Sequence, residues 1–149
     1  MKAIIIPIIA GTWVGKKTSN MWKAMVGATA LTGIPMLVMG FTTPATSIVI
    51  YFVALAFTGI AESFRSVSIT PAAQLILDPQ GIGTSFVNFF NSLSGTIAAT
   101  VFAVAYNMNT AADPTNVELI QNGVNAVFWV AAIVGLVGLA IVILFVRPQ

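Results

Sequence analysis

The sequence predicts an all-α, polytopic membrane bundle of four full spans preceded by a partial one. Three observations carry that expectation. Of 149 residues, 58% are hydrophobic and only 7% are charged, whereas a soluble domain uses about 25% charged residues to solvate its surface. Mean hydropathy is +0.97. The apolar residues run in long unbroken stretches, not in the period-two alternation of a membrane barrel, so helices are the expected spanning elements. The lipid bilayer is therefore the first expected partner.

A spanning helix needs about 20 predominantly apolar residues. Residues 3–14 fall short of that before Lys16 and Lys17 intervene. They read either as a signal peptide, with Lys2 ahead of an apolar stretch, or as the end of a helix whose beginning is missing. Residues 24–42 form the first full span, free of charge and bounded by Lys23 and a Thr43-Pro44 turn signal. The second, residues 47–77, is longer and holds Glu62 and Arg65 near its middle. Residues 83–106 and 123–146 are again free of charge. Pro35 and Pro71 suggest kinks in the first two spans.

The connections decide between the two readings of the opening segment. Residues 15–23 carry Lys16, Lys17 and Lys23, and Arg147 follows the last span, while the long connection over residues 107–122 holds Asp113 and Glu118 and no base. Four spans place all the flanking bases on one side, as the positive-inside rule requires. The expected location is a cell membrane, multi-pass, with the C-terminus cytoplasmic. A cleaved signal peptide would reverse this, so the truncated helix is the better reading. Trp13, Trp22, Tyr51, Tyr106 and Trp129 fall near the predicted span ends, as an interfacial belt of anchors.

The same composition excludes several functions. Histidine and cysteine are absent, which removes the commonest general base, thiolate chemistry and the usual metal ligands. No enzyme, metal site or cofactor is expected. The net charge of +2 rests on few bases, most of them beside apolar segments, so nucleic acid is not an expected partner.

Two polar series stand out inside the spans. Glu62 and Arg65 lie three residues apart and can touch on one helix face. Around them Thr58, Ser66, Thr70 and Gln74 repeat at four-residue intervals. Ionisable groups inside a span are costly and point to a functional path. The alternative is an ion pair that locks helices together or lies near an interface. A neighbouring cation favours the ionised carboxylate, so Glu62 would carry a proton only if transport separates it from Arg65. The second series, Ser85, Asn88, Asn91 and Ser92 with Gly95, reads as interhelical hydrogen bonding or as a cavity wall. Gly135 among Ala131 and Leu139, and Gly123 with Val127, give a weak packing signal. Gly81 and Gly83 read as turn residues.

The stretch from Gly59 through the Asp78-Pro79-Gln80-Gly81 turn to Asn88-Phe89-Phe90-Asn91-Ser92-Leu93-Ser94-Gly95 resembles the late helices of major facilitator superfamily transporters. The long acidic connection before the last span is similar to that of the 14-helix drug:proton antiporter branch. The first loop resembles the superfamily motif Gly-x-x-x-Asp-Arg-x-Gly-Arg-Lys. Gly11 and Lys16 match it, while Gly15, Thr18, Ser19 and Asn20 depart from it.

The resemblance implies the C-terminal portion of a major-facilitator fold, with the N-terminal transporter helices as the missing partner. It implies proton-coupled multidrug efflux by alternating access, with hydrophobic small molecules and protons as ligands. Glu62, Arg65, Asn88 and Asn91 are the implied pathway residues. A small structural or assembly membrane protein without transport activity is the alternative expectation.

Overall fold

The computed structural model describes residues 11–16, 18–76 and 82–145. Four helices follow one another: α1 (Thr18–Gly40), α2 (Ile48–Ile76), α3 (Ile82–Thr110) and α4 (Val117–Phe145). Among the described residues all regular structure is helical. Each helix is long and apolar enough to cross a membrane, which makes the chain compatible with a multi-pass membrane protein. Residues 1–10, which hold most of the partial span, lie outside the described residues, as do Lys17, the turn at 78–81 and Arg147. So does the side chain of Gln74.

The helices pack as a ring in chain order. α1 lies against α2 and α4, α3 lies against α4, and α2 and α3 make the loosest of the four neighbouring pairs. Among the described residues the diagonal pairs do not approach each other closely. One end of the ring carries Lys16 and Lys23, and the other carries Asp113 and Glu118. Large side chains such as Phe52, Leu144 and Phe145 point outward, as suits a bundle whose outer solvent is hydrocarbon. The interior is built largely from small residues, with Ala24, Ala28, Ala54, Ala61 and Ala132 buried. Small side chains let helix backbones approach closely.

Several helix ends differ from the apolar boundaries. α1 begins at Thr18, well ahead of residue 24, and α3 continues to Thr110, beyond residue 106. α4 begins at Val117, ahead of residue 123. Apolar content marks where hydrocarbon ends, whereas a helix ends where its backbone hydrogen bonds are capped. For α4 that cap is Asn116, whose Oδ1 accepts the Glu118 and Leu119 amides at 2.9 and 3.4 Å. The acidic connection therefore shrinks to residues 111–116, where Asp113 Oδ1 accepts the Thr115 amide and hydroxyl at 2.9 and 2.7 Å. Gly83 belongs to the first turn of α3, where it is buried. It is not a turn residue.

The α1–α4 contact is made at both ends and at mid-span. At the lysine end the Trp22 indole N–H donates to the Val142 carbonyl at 3.4 Å. Near mid-span Gly33 and Gly135 meet, and a Cβ added to Gly135 would lie 2.9 Å from the Gly33 Cα. Further along, Gly40 abuts the Trp129 indole, and Phe41 meets the same ring edge-on with centroids 4.6 Å apart. Trp129 is thus a packing residue between two helices, where belt position alone suggested an anchor. Tyr106 likewise packs against Gly123, where a Cβ would come within 2.9 Å of the Tyr106 ring. Trp13 packs edge-on to Phe64.

Candidate functional site

The sequence-derived candidates Glu62, Arg65, Asn88 and Asn91 come together in one groove between α2 and α3. The cavity has a volume of about 200 Å³, and Ser66 and Thr70 also line it. On α2 the lining residues follow the three- and four-residue spacing of a single helix face. Glu62 stands midway along α2, and the groove runs from there toward the lysine end.

Glu62 and Arg65 form a two-bond fork. Arg65 Nε donates to Glu62 Oε2 at 2.8 Å, and Arg65 Nη2 donates to Oε1 at 2.7 Å. This geometry is the strong, planar form of the carboxylate–guanidinium pair. The pair ties α2 to itself and not to a neighbour, so it does not serve as a lock between helices. Its side chains remain 46% exposed at Arg65 and 59% at Glu62. A charge pair with that much uncovered surface at mid-span faces either water or further protein, because hydrocarbon would leave its remaining donors and lone pairs unmet.

Asn88 and Asn91 depart from one of the two expectations. Both side chains are exposed and make no hydrogen bond among the described residues. The lack of interhelical bonds accompanies the loosest packing among the neighbouring helices, that of α3 against α2. Ser66 and Thr58 are satisfied within α2, through the Ser63 and Ala54 carbonyls at 3.0 Å each. The groove therefore offers a self-neutralised ion pair with spare donors and two free amides, each both donor and acceptor.

A second polar cluster was not singled out by sequence reasoning. Thr42, at the end of α1, meets Gln121 and Asn125 of α4. Asn125 Nδ2 donates to the Thr42 carbonyl at 2.7 Å, and the Thr42 hydroxyl reaches Asn125 Oδ1 at 3.1 Å. Gln121 Nε2 donates to Asn125 Oδ1 at 2.8 Å and to Thr42 Oγ1 at 3.2 Å. These bonds satisfy the Thr42 carbonyl just beyond the α1 C-terminus and clasp it to α4. Gln121 and Asn125 lie four residues apart near the start of an apolar helix, and that spacing was the available signal.

The loop-motif remnant is placed only in part. A Cβ on Gly11 would touch Val67 of α2 at 4.0 Å, and Lys16 is exposed at the bundle end. Asn20 Nδ2 donates to the Trp13 carbonyl at 2.7 Å and secures this segment to the start of α1. Among the described residues there is no cluster of metal-ligating side chains.

No family model matches the chain, and no curated protein or solved structure is similar enough to be matched with it.

Proposed function

We propose that these helices belong to a secondary active transporter of the major facilitator type, closest to its 14-helix drug:proton antiporter branch, with proton-coupled efflux of hydrophobic small molecules by alternating access. The observation that carries this reading is the juxtaposition of a mid-span ion pair with two unsatisfied amides in one open groove. A purely structural bundle gains nothing from such a groove, because each unmet polar group in hydrocarbon is costly.

In this reading the groove faces further transporter helices across a water-accessible path. The α1–α4 seam supplies the rigid body that rocks. The lysine end is cytoplasmic by the positive-inside rule. Proton coupling and opening of the Glu62–Arg65 fork are one event.

The test is drug efflux, with expression level as the control, from cells carrying Glu62→Gln or Asn91→Ala in the full-length protein. Exposed ion pairs contribute about 0–1 kcal/mol to stability, so E62Q protein should accumulate normally. Its efflux should fall at least about tenfold, corresponding to roughly 1.4 kcal/mol, and lose its dependence on the proton gradient. Undiminished, proton-dependent efflux by E62Q would remove Glu62 from the mechanism. A structural or assembly role would instead appear as efflux from cells with the unsubstituted protein no greater than from cells without it.

A further inference from the structure

The polar groove is not the only cavity along α3. A second chamber of about 540 Å³ opens at mid-span among α1, α3 and α4, with an almost wholly apolar lining. Thr32 and Met36 wall it from α1, Val134 from α4, and Ser94, Ala98 and Val101 from α3. It fills the space across the ring where α1 and α3 do not meet.

The two cavities share one face of α3. Val87 and Asn91 line the groove, and Ser94, Ala98 and Val101 line the chamber. Their spacings of three and four residues keep all five on a single helical band. Asn91 and Ser94 are one turn apart, so the polar groove and the apolar chamber lie end to end along α3. Together they are polar toward the lysine end and apolar at mid-span.

We infer that groove and chamber form one binding site for a single-chain amphiphile whose head carries no net charge. The chamber is of drug-sized volume (pockets for such ligands span about 300–1,000 Å³) and suits one chain. The head would meet the free amides of Asn88 and Asn91 and the spare N–H groups of Arg65. The Glu62–Arg65 fork is neutral overall, so a head with net charge would stand uncompensated within the span. An uncharged or zwitterionic head finds both donors and acceptors. The inference extends the transport reading to a ligand class, but binding is read directly and does not depend on transport.

The experiment uses the full-length protein in phosphatidylcholine nanodiscs and a dodecylphosphocholine carrying a diazirine at mid-chain. After irradiation, cross-linked peptides are located by mass spectrometry. Labelling is expected at Val101 and Val134, in the presence of excess two-chain lipid. Unlabelled dodecyl maltoside should compete, and dodecyltrimethylammonium and dodecyl sulfate should not. Asn88→Leu with Asn91→Leu should lower chamber labelling roughly tenfold, the effect of a few lost hydrogen bonds. Ala98→Phe should abolish it by filling the chamber.

The apolar recess between α1 and α2, about 260 Å³ and walled by Val38, Val53 and Phe57 with no polar group, is the internal control. Equal labelling there, or equal competition by the charged amphiphiles, would overturn the proposal. Competition with unsubstituted protein decides the matter even if A98F fails to fold. Absence of efflux by the unsubstituted protein, with chamber labelling retained, would overturn the transport reading and leave the site standing.

Discussion

The α1–α4 seam and the α2–α3 groove are built from the same stock of small and polar residues, yet they end in opposite states. Along the seam, glycines bring backbones into contact and the polar side chains where the α1 C-terminus meets α4 have partners: Thr42, Gln121 and Asn125 satisfy one another. Along the groove, Asn88 and Asn91 have no partner among the described residues, and the Glu62–Arg65 fork turns inward on its own helix. Polarity inside a membrane bundle can hold helices together or line a space, and the sign depends on whether the facing helix supplies a complement. α4 does so for α1. α3 does not for α2.

The largest expected effect is at the glycine crossing. A methyl group on Gly135 meets backbone at 2.9 Å, and overpacking of that kind costs about 1–3 kcal/mol. This exceeds the roughly 0.5–1 kcal/mol that Ala gains over Gly in a helix, so Gly135→Ala should lower the thermal unfolding midpoint in detergent. Gly95→Ala on the groove helix, where nothing lies within 4 Å, should hold or raise it. Equal behaviour of the two variants would erase the distinction between seam and groove.

A smaller effect belongs to the clasp. Asn125→Ala should cost on the order of 0.6–1.7 kcal/mol, between the average and the largest value for hydrogen bonds between membrane helices, and Gln121→Ala less. Adding Thr42→Ala to N125A should cost little more, because the two act as one unit. Additive losses would mean that the clasp is three separate contacts. Thermal midpoints of the single and double variants decide this.

The smallest effect lies in the connection. The Thr115 hydroxyl and amide hold the Asp113 carboxyl below the ordinary carboxylate range. A lowered folded-state value means that folding releases a proton, so the contribution is complete above the ordinary value near 4 and fades as pH falls through the lowered one. Asp113→Asn should therefore lower the unfolding midpoint slightly at neutral pH, and the gap to the unsubstituted protein should close in acid. A gap that widens in acid would contradict the assigned cause.

The helices and the groove were legible because both are written in local spacing. Unbroken apolar runs gave four spans, and Glu62, Arg65, Asn88 and Asn91 announced themselves as polar groups at helical intervals. The ends were less legible, since hydropathy reports the hydrocarbon boundary while Asn116 sets the start of α4. The seam was hardest to see. Thr42 and Asn125 are 83 residues apart in sequence, and Gln121 read as part of a loop. Gly33 and Gly40 gave no periodic signal of their own, and Trp129 looked like a belt residue. Packing between distant helices depends on which faces meet, and a one-dimensional pattern does not contain that.

The chain has no cysteine, and in a full-length protein freed of any other cysteine single replacements report on the contrast between the two regions. The most direct measurement is the rate at which Asn91→Cys and Asn125→Cys, each in the full-length protein in vesicles, react with a charged, membrane-impermeant methanethiosulfonate. Because thiol reactivity follows access to water and the thiolate form, a water-lined groove predicts that N91C reacts at least about tenfold faster than N125C. An inert N91C that only a lipid-soluble maleimide can reach, or an N125C that reacts as fast, would contradict the account.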